Sequence, residues 1–285
     1  MGYIKSERDI QYKKFEEQMS QKDLFSTLML IDFNLTELCN RTCEFCPRVD
    51  PKVYPNRNLH MDPELYTKII EELAKLKYNN RILFCGFGEP LLYKHLNYII
   101  NITKINLPWN HNLQMVTNGD KLSEKVIEKL FFNGLDKIYI SLYEGPEQQE
   151  TFTSMFRSIG ISSDKYFFHH YYKEKKDNYG FIHLSNRAGK LFKDTHEGGC
   201  NTPFYEINID YNGNTLLCAH DWNKSVITGN LQEQSLKDIW LKSPVLKQYR
   251  EMLQKGRDKS PCKDCNIIGT LYGKKSKQLL CSATR

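Results

Sequence analysis

The sequence predicts an α/β fold, a partial (β/α)6 TIM-like barrel with a small C-terminal domain behind it. Three observations predict it. Strand-like apolar runs alternate with helical periods over residues 27–195, the alternation stops after about Asp194, and seven of the nine cysteines fall into two groups, one on each side of that change.

The first 26 residues, rich in Lys, Glu and Gln, read as a polar lead-in without chemistry. Strands are expected at Leu28–Leu35, Ile82–Gly86, Leu113–Thr117, Lys137–Leu142, Tyr166–Tyr171 and Phe181–Leu184. Between them, Asp62 caps and Pro63 opens a helix that places Leu65, Ile69, Leu73 and Leu76 on one face. Pro90 opens a second over Leu91–Ile102, and Asp120 or Ser123 a third that ends at Asn133-Gly134. Beyond residue 195, Tyr205–Ile209 and Thr215–Cys218 flank Tyr211-Asn212-Gly213-Asn214 as a hairpin. A helix from Ser235, interrupted at Pro244, continues to about Gln254. The expected organisation is therefore a lead-in over 1–26, a barrel over 27–195 and a second domain over 196–285.

With 40% hydrophobic and 26% charged residues, the 285-residue chain has the composition of a globular protein, not a disordered or fibrous one. No apolar run approaches the roughly 18 residues of a membrane span, and the charged start lacks the apolar core of an export signal. A cytoplasmic, membrane-free protein is expected, and there nine cysteines point to metal or redox chemistry instead of disulfides. The net charge of +6 is concentrated over residues 242–285, with eleven basic against three acidic positions around the last cysteines. Without interleaved stacking aromatics, that reads as a basic face near an anionic cluster, and no nucleic-acid partner is expected.

The sharpest signal is Cys39-Asn40-Arg41-Thr42-Cys43-Glu44-Phe45-Cys46, on a loop directly after the first strand. Three thiolates can hold three corners of a cubane iron-sulfur cluster and leave the fourth iron open. A zinc site would need a fourth ligand nearby, which neither Pro47 nor Arg48 can supply. The second constellation is Cys200, Cys218, Cys262 and Cys265, which could ligate an entire 4Fe-4S cluster or a structural zinc. No Gly-rich dinucleotide fingerprint is present, which argues against an ordinary nicotinamide dehydrogenase.

The three-cysteine spacing, with an aromatic residue before the third cysteine, resembles the radical S-adenosylmethionine (SAM) superfamily. The four late cysteines resemble the auxiliary-cluster domain, of twitch or SPASM type, that follows some of its barrels. Cys-Asn-Arg-Thr-Cys at 39–43, Met61-Asp62-Pro63, Gly88-Glu89-Pro90-Leu91-Leu92, Thr117-Asn118-Gly119-Asp120 and Leu184-Ser185-Asn186-Arg187 together are similar to the deoxy-scyllo-inosamine dehydrogenase family of aminoglycoside biosynthesis. The resemblance implies two 4Fe-4S clusters and SAM, with Cys39, Cys43 and Cys46 on the first cluster and the four late cysteines on the second. It implies that Phe45 packs near the adenine. Phe87, Gly88 and Glu89 stand where the family's Gly-Gly-Glu-Pro turn binds the methionyl amine, with Phe87 replacing the first glycine. Asn118 and Ser141 fall where relatives contact methionyl or ribose groups.

The resemblance also implies a reaction: a deoxyadenosyl radical abstracts hydrogen from a hydroxyl-bearing carbon, a proton leaves, and an electron passes to the auxiliary cluster, giving a ketone. The substrate implied is a small cyclitol or sugar-like molecule, and an electron donor such as flavodoxin or ferredoxin is the expected partner. Arg187 stands where the family places a substrate arginine, better suited to anchor an oxyanion than to act as a base. His220 and Asp221, in a segment that departs from the family after Cys218, could bind hydroxyls or shuttle a proton. The alternatives are a radical epimerase, with Cys85 as a possible hydrogen donor, a peptide-modifying enzyme with the same clusters, or a non-catalytic electron carrier. The 38 residues before Cys39 are too few for a folded leader-peptide-binding domain, and the carrier reading leaves the Gly88-Glu89-Pro90 turn unexplained.

Overall fold

The computed structural model describes residue 19 and residues 23–172, 185–270 and 273–282. Its core is one eight-stranded sheet: β1 (Leu30–Phe33), β2 (Arg81–Phe84), β3 (Leu113–Thr117), β4 (Lys137–Leu142), β5 (Tyr166–His170), β6 (Glu206–Ile209), β7 (Asn214–Leu216) and β8 (Ile227–Asn230), in the order β5-β4-β3-β2-β1-β6-β7-β8. Strands β1 to β5 pair in parallel with their neighbours, as in the expected barrel units. A sixth parallel strand exists among the described residues, but it is β6 and it lies on the far side of β1. The run expected at Phe181–Leu184 lies outside the described residues, as do most positions of the lead-in. Where the lead-in meets the barrel, Leu24–Thr27 form a single 3-10 turn capped by Asp23, with Phe25 and Thr27 buried.

The sheet has two different faces because side chains alternate along each strand. Ile31, Phe33, Ile82, Phe84, Leu113, Met115, Ile207 and Ile209 belong to the main apolar core. The intervening Asp32, Arg81, Gln114 and Asn208 are buried on the opposite, polar face. The apolar face is covered by helices α1 (Pro63–Lys75), α2 (Leu96–Asn106), α3 (Glu124–Phe132) and α4 (Pro146–Ser158). In α1 the Asp62 carboxylate accepts from the Glu64 N–H, and Leu65, Tyr66, Ile69, Ile70 and Leu73 are buried. Each such apolar side chain contributes about 1.5–3 kcal/mol.

One helix start needs correction. Pro90 opens only a 3-10 turn, Pro90–Leu92, because the Glu89 carboxylate caps Leu91 and Tyr93 is extended; α2 begins at Leu96. Of the two proposed caps for α3, Ser123 is the one used, and Asp120 is bound elsewhere. The hairpin around Asn212-Gly213 is present as antiparallel β6 and β7, shorter at the Cys218 end than expected, and β8 adds a third strand. Helices α5 (Leu236–Lys242) and α6 (Pro244–Lys255) match the interrupted helix, and α7 (Gly273–Ser282) packs near the chain start through Ser276 and the Thr27 carbonyl.

Candidate active site

The loop after β1 carries Cys39, Cys43 and Cys46 and is held from three sides. Asn56 accepts from the Cys39 N–H (2.9 Å) and donates to its carbonyl (3.1 Å). Arg41 forms a bidentate pair with Asp120 (2.7 and 2.5 Å) and reaches Glu144 (2.8 Å), tying the loop to the ends of β3 and β4. Arg48, buried, donates to the carbonyls of Phe87 (2.6 Å) and Glu37 (2.5 Å) and to Asn56 (3.1 Å). Nothing in the spacing of the motif marks Arg48, yet it joins the cysteine loop to the turn after β2.

That turn is fixed by backbone contact. A Cβ on Gly88 would stand 2.0 Å from the Thr36 carbonyl oxygen, so only glycine fits. Glu89 is 3% exposed, and its carboxylate accepts from the Leu91 N–H (2.9 Å), the Thr117 hydroxyl (2.7 Å) and the Asn118 N–H (2.8 Å). Burial raises its pKa while those donors lower it. Phe87, in place of a small residue, is buried against Tyr54 (5.8 Å between centroids) and Trp222 (4.9 Å), linking the turn to the C-terminal part of the chain. Asn118 donates to Asn40 (2.9 Å). The Phe45 ring stacks on Tyr171 (4.7 Å) and Tyr143 (5.9 Å), and Ser141 is buried beside them, bonded to Tyr143.

The thiols behave as a group. Burial pushes the Cys43 thiol up to about 11, with Cys46 and Cys39 adding repulsion. Burial pushes Cys262 up to about 12, with Cys200 and Cys265 adding to it, and Cys218 is raised by burial and then by Cys262. Thiols that oppose each other's ionisation need a cationic centre to become ligands together. Cys200, Cys218, Cys262 and Cys265 all line one small enclosure, floored by Leu217, Leu253 and Ile267. Among the described residues no three His, Cys, Asp or Glu side chains are grouped as ligands of a single ion. Four thiolates, one for each iron, are the donor set of a cubane cluster.

Arg257, unmarked by any motif, organises this second set. Buried at 6% exposure, its guanidinium donates to the carbonyls of Gly198 (2.7 Å), Cys265 (2.6 Å), Gly199 (3.0 Å) and Ile267 (3.0 Å), clamping the Cys200 and Cys265 segments together. Lysine keeps the charge but not the fork. Arg257→Lys is expected to lower stability by about 2 kcal/mol, since hydrogen bonds from a charged donor contribute about 1.5–3 kcal/mol each. Denaturant unfolding of wild type and variant checks this.

Between the two cysteine sets stands Arg187. It has φ of +51°, Ala188 +52° and Gly189 +79°, three consecutive left-handed residues. Its Nε is buried with no hydrogen-bond partner among the described residues, and its charge acts on Cys46, Cys85 and His220. Ser185 joins the Arg187 N–H (3.3 Å) and His220 Nδ1 (2.9 Å). Burial, with the Arg187 charge adding to it, holds the His220 imidazole down to about 3 and therefore neutral. Asp221 is 1% exposed, and its carboxylate is engaged by Ser225 (2.9 and 3.1 Å) and the Val226 N–H (2.9 Å) within its own loop.

Residues 33–167 match the radical SAM superfamily, and residues 200–266 match the iron-sulfur cluster-binding SPASM domain. The S-adenosyl-L-methionine-dependent 2-deoxy-scyllo-inosamine dehydrogenase of Niallia circulans is 32% identical over 246 residues, covering 84% of this chain and 93% of that protein. The chain belongs to the radical SAM superfamily. Crystal structures of BtrN extend the match to the fold. The complex with AdoMet and 2-DOIA has a TM-score of 0.71 at 30% identity, covering 85% of this chain and 94% of BtrN. The open conformation gives 0.62 at 27% identity over the same shares of each chain. This radical SAM protein is thus a TIM-like partial barrel with a C-terminal SPASM domain, an oxidoreductase of two 4Fe-4S clusters and SAM. Among the described residues no helix is long and apolar enough to cross a membrane.

Proposed function

We propose that the protein oxidises a hydroxyl-bearing carbon of a small cyclitol or sugar-like substrate to a ketone. The observation that carries this reading is the position of Arg187, whose Nε is buried without a partner among the described residues, whose charge reaches Cys46 on one side, and whose turn packs on the other side against Asp264, the neighbour of Cys265. Cys39, Cys43 and Cys46 would hold the first cluster, and Cys200, Cys218, Cys262 and Cys265 the second. When bound, SAM on the first cluster supplies a radical that removes a hydrogen atom, and the second cluster accepts one electron.

The chain's own residues do the rest. Arg48 and Gly88 shape the Phe87–Pro90 turn, whose backbone would hold the methionyl end of SAM, while Glu89, already holding three donors, positions that turn and the β3 end carrying Asn118. Phe45 and Tyr171 form an aromatic wall for the adenine, with Ser141 behind it. Arg187 Nε donates to the substrate oxygen and stabilises it as the hydroxyl proton leaves to water in the open cavity beside Arg187 and Lys190. Neutral His220 offers a hydrogen-bonding imidazole in place of a charge, and Asp221 secures the loop that carries it. The division near residue 195 then separates the SAM-binding part from the part that receives the electron. The reading includes a cytoplasmic setting, where thiols stay reduced, and an electron donor such as flavodoxin or ferredoxin.

The epimerase alternative rests on Cys85, whose thiol burial pushes up to about 12 and so keeps neutral beside Asp32. An inverted radical must regain hydrogen from the protein, whereas an oxidised one does not. Anaerobically reconstituted protein should bind about eight irons as two cubanes. With 2-deoxy-scyllo-inosamine in deuterated water it should form a ketone, and Cys85→Ala should still turn over. An inverted alcohol labelled at carbon, lost in the Cys85 variant, would overturn the dehydrogenase reading.

A further inference from the structure

The turn that carries Arg187 is bonded to the loop that carries two auxiliary-cluster cysteines. Asn186, fully buried, donates its N–H to Asn266 Oδ1 (3.0 Å) and accepts from the Asn266 N–H (3.3 Å), a reciprocal clasp across 80 residues of sequence. Its side-chain amide also donates to the carbonyls of Asp194 and Asp264 (2.7 Å). The same loop holds the Ile267 N–H on Cys265 Sγ (3.4 Å), one residue beyond Asn266. Gly189 packs against Asp264, where an added Cβ would sit 3.0 Å from the Asp264 Cβ. Arg187 and Ala188 are side-chain-bearing residues in the left-handed region, a conformation costing about 1–3 kcal/mol each that persists only where the surroundings impose it. The Asn186–Asn266 clasp is what imposes it.

We propose that the Asn186–Asn266 clasp is a shared positioning device, which aims Arg187 at the substrate and, by fixing the Cys265–Ile267 loop that keeps the Ile267 N–H on Cys265 Sγ, sets the reduction potential of the auxiliary cluster. Hydrogen bonds to cluster sulfurs stabilise the more negative, reduced form and so raise the potential. A turn held in place makes the cluster a better electron acceptor at the moment the arginine is aligned. Asn186 and Asn266 act through Arg187 and the Ile267 N–H.

The proposal rests on the assignment of the four late cysteines to a cluster, and the test separates the two. Midpoint potentials of the auxiliary cluster are measured by EPR-monitored titration of the reconstituted holoenzyme without substrate. Asn266→Ala is expected to shift the reduction equilibrium about tenfold toward the oxidised form, which is a fall of about 59 mV for one electron. Gly189→Ala, which forces the turn away from Asp264, is expected to act in the same direction and serves if Asn266→Ala does not load its cluster. Ala188→Gly keeps the Asn186–Asn266 clasp and only removes a Cβ from a left-handed residue, and should hold the wild-type potential. With 2-deoxy-scyllo-inosamine as probe, Asn266→Ala should also lose about tenfold in kcat/KM. A wild-type potential in every variant that carries its auxiliary cluster overturns the proposal, as does an equal shift in Ala188→Gly. Wild-type protein that binds four irons instead of eight overturns the cluster assignment itself and the proposal with it.

Discussion

Cys43→Ala is expected to abolish SAM cleavage, while Cys262→Ala keeps a measurable part of it and loses product. The asymmetry follows from what each sulfur touches. Cys43 lies in the loop clamped by Arg41 and Arg48 beside the Phe87–Pro90 turn, so its loss dismantles the cluster that SAM must join. Cys262 lies on the far side of Arg187, in the enclosure held by Arg257, and its loss removes the electron acceptor without disturbing the SAM-facing turn. Deoxyadenosine formed with and without substrate, measured beside ketone in both variants, decides it. Equal and complete loss of cleavage in folded forms of both would contradict the division of labour.

Arg187→Ala is expected to lower product formation by ten- to hundredfold, the scale of a charged hydrogen bond worth about 1.5–3 kcal/mol. Arg187→Lys should fall between it and wild type, since it keeps the charge but loses the planar fork. Because the proposed SAM site lies at the Cys39–Cys46 loop and the Phe87–Pro90 turn, SAM affinity should persist in both. If Arg187→Ala loses SAM affinity as sharply as product, the arginine belongs to the cofactor site.

What the sequence made legible was periodic or punctuated. The β/α alternation, the Asp62-Pro63 and Ser123 starts and the Asn212-Gly213 turn all depend on local preferences that short windows contain. Cysteine spacing was legible because a cluster imposes it. Arg48 and Arg257 were not, because each works by donating to carbonyls brought together by folding, and a backbone carbonyl leaves no mark in sequence. The Leu91–Ile102 helix was misread for a related reason: the Glu89 carboxylate serves Thr117 and Asn118, 28 and 29 residues away, as well as the local cap, which holds the segment to one short turn. Asp221 looked chemically available, yet Ser225 and Val226 already occupy its carboxylate.

The parallel pairing of β6 with β1 has a consequence for how the protein is made. Asn34 and Asp210, which extend that pairing with a 2.7 Å hydrogen bond, are 176 residues apart. Until the C-terminal half emerges during synthesis, β1 is a bare edge, with the unpaired backbone groups and apolar Ile31 and Phe33 of an aggregation template. A fragment cut at residue 195 would keep that edge permanently. The SAM-binding half is thus expected to precipitate when expressed by itself, and its solubility depends on the strand that follows Cys200.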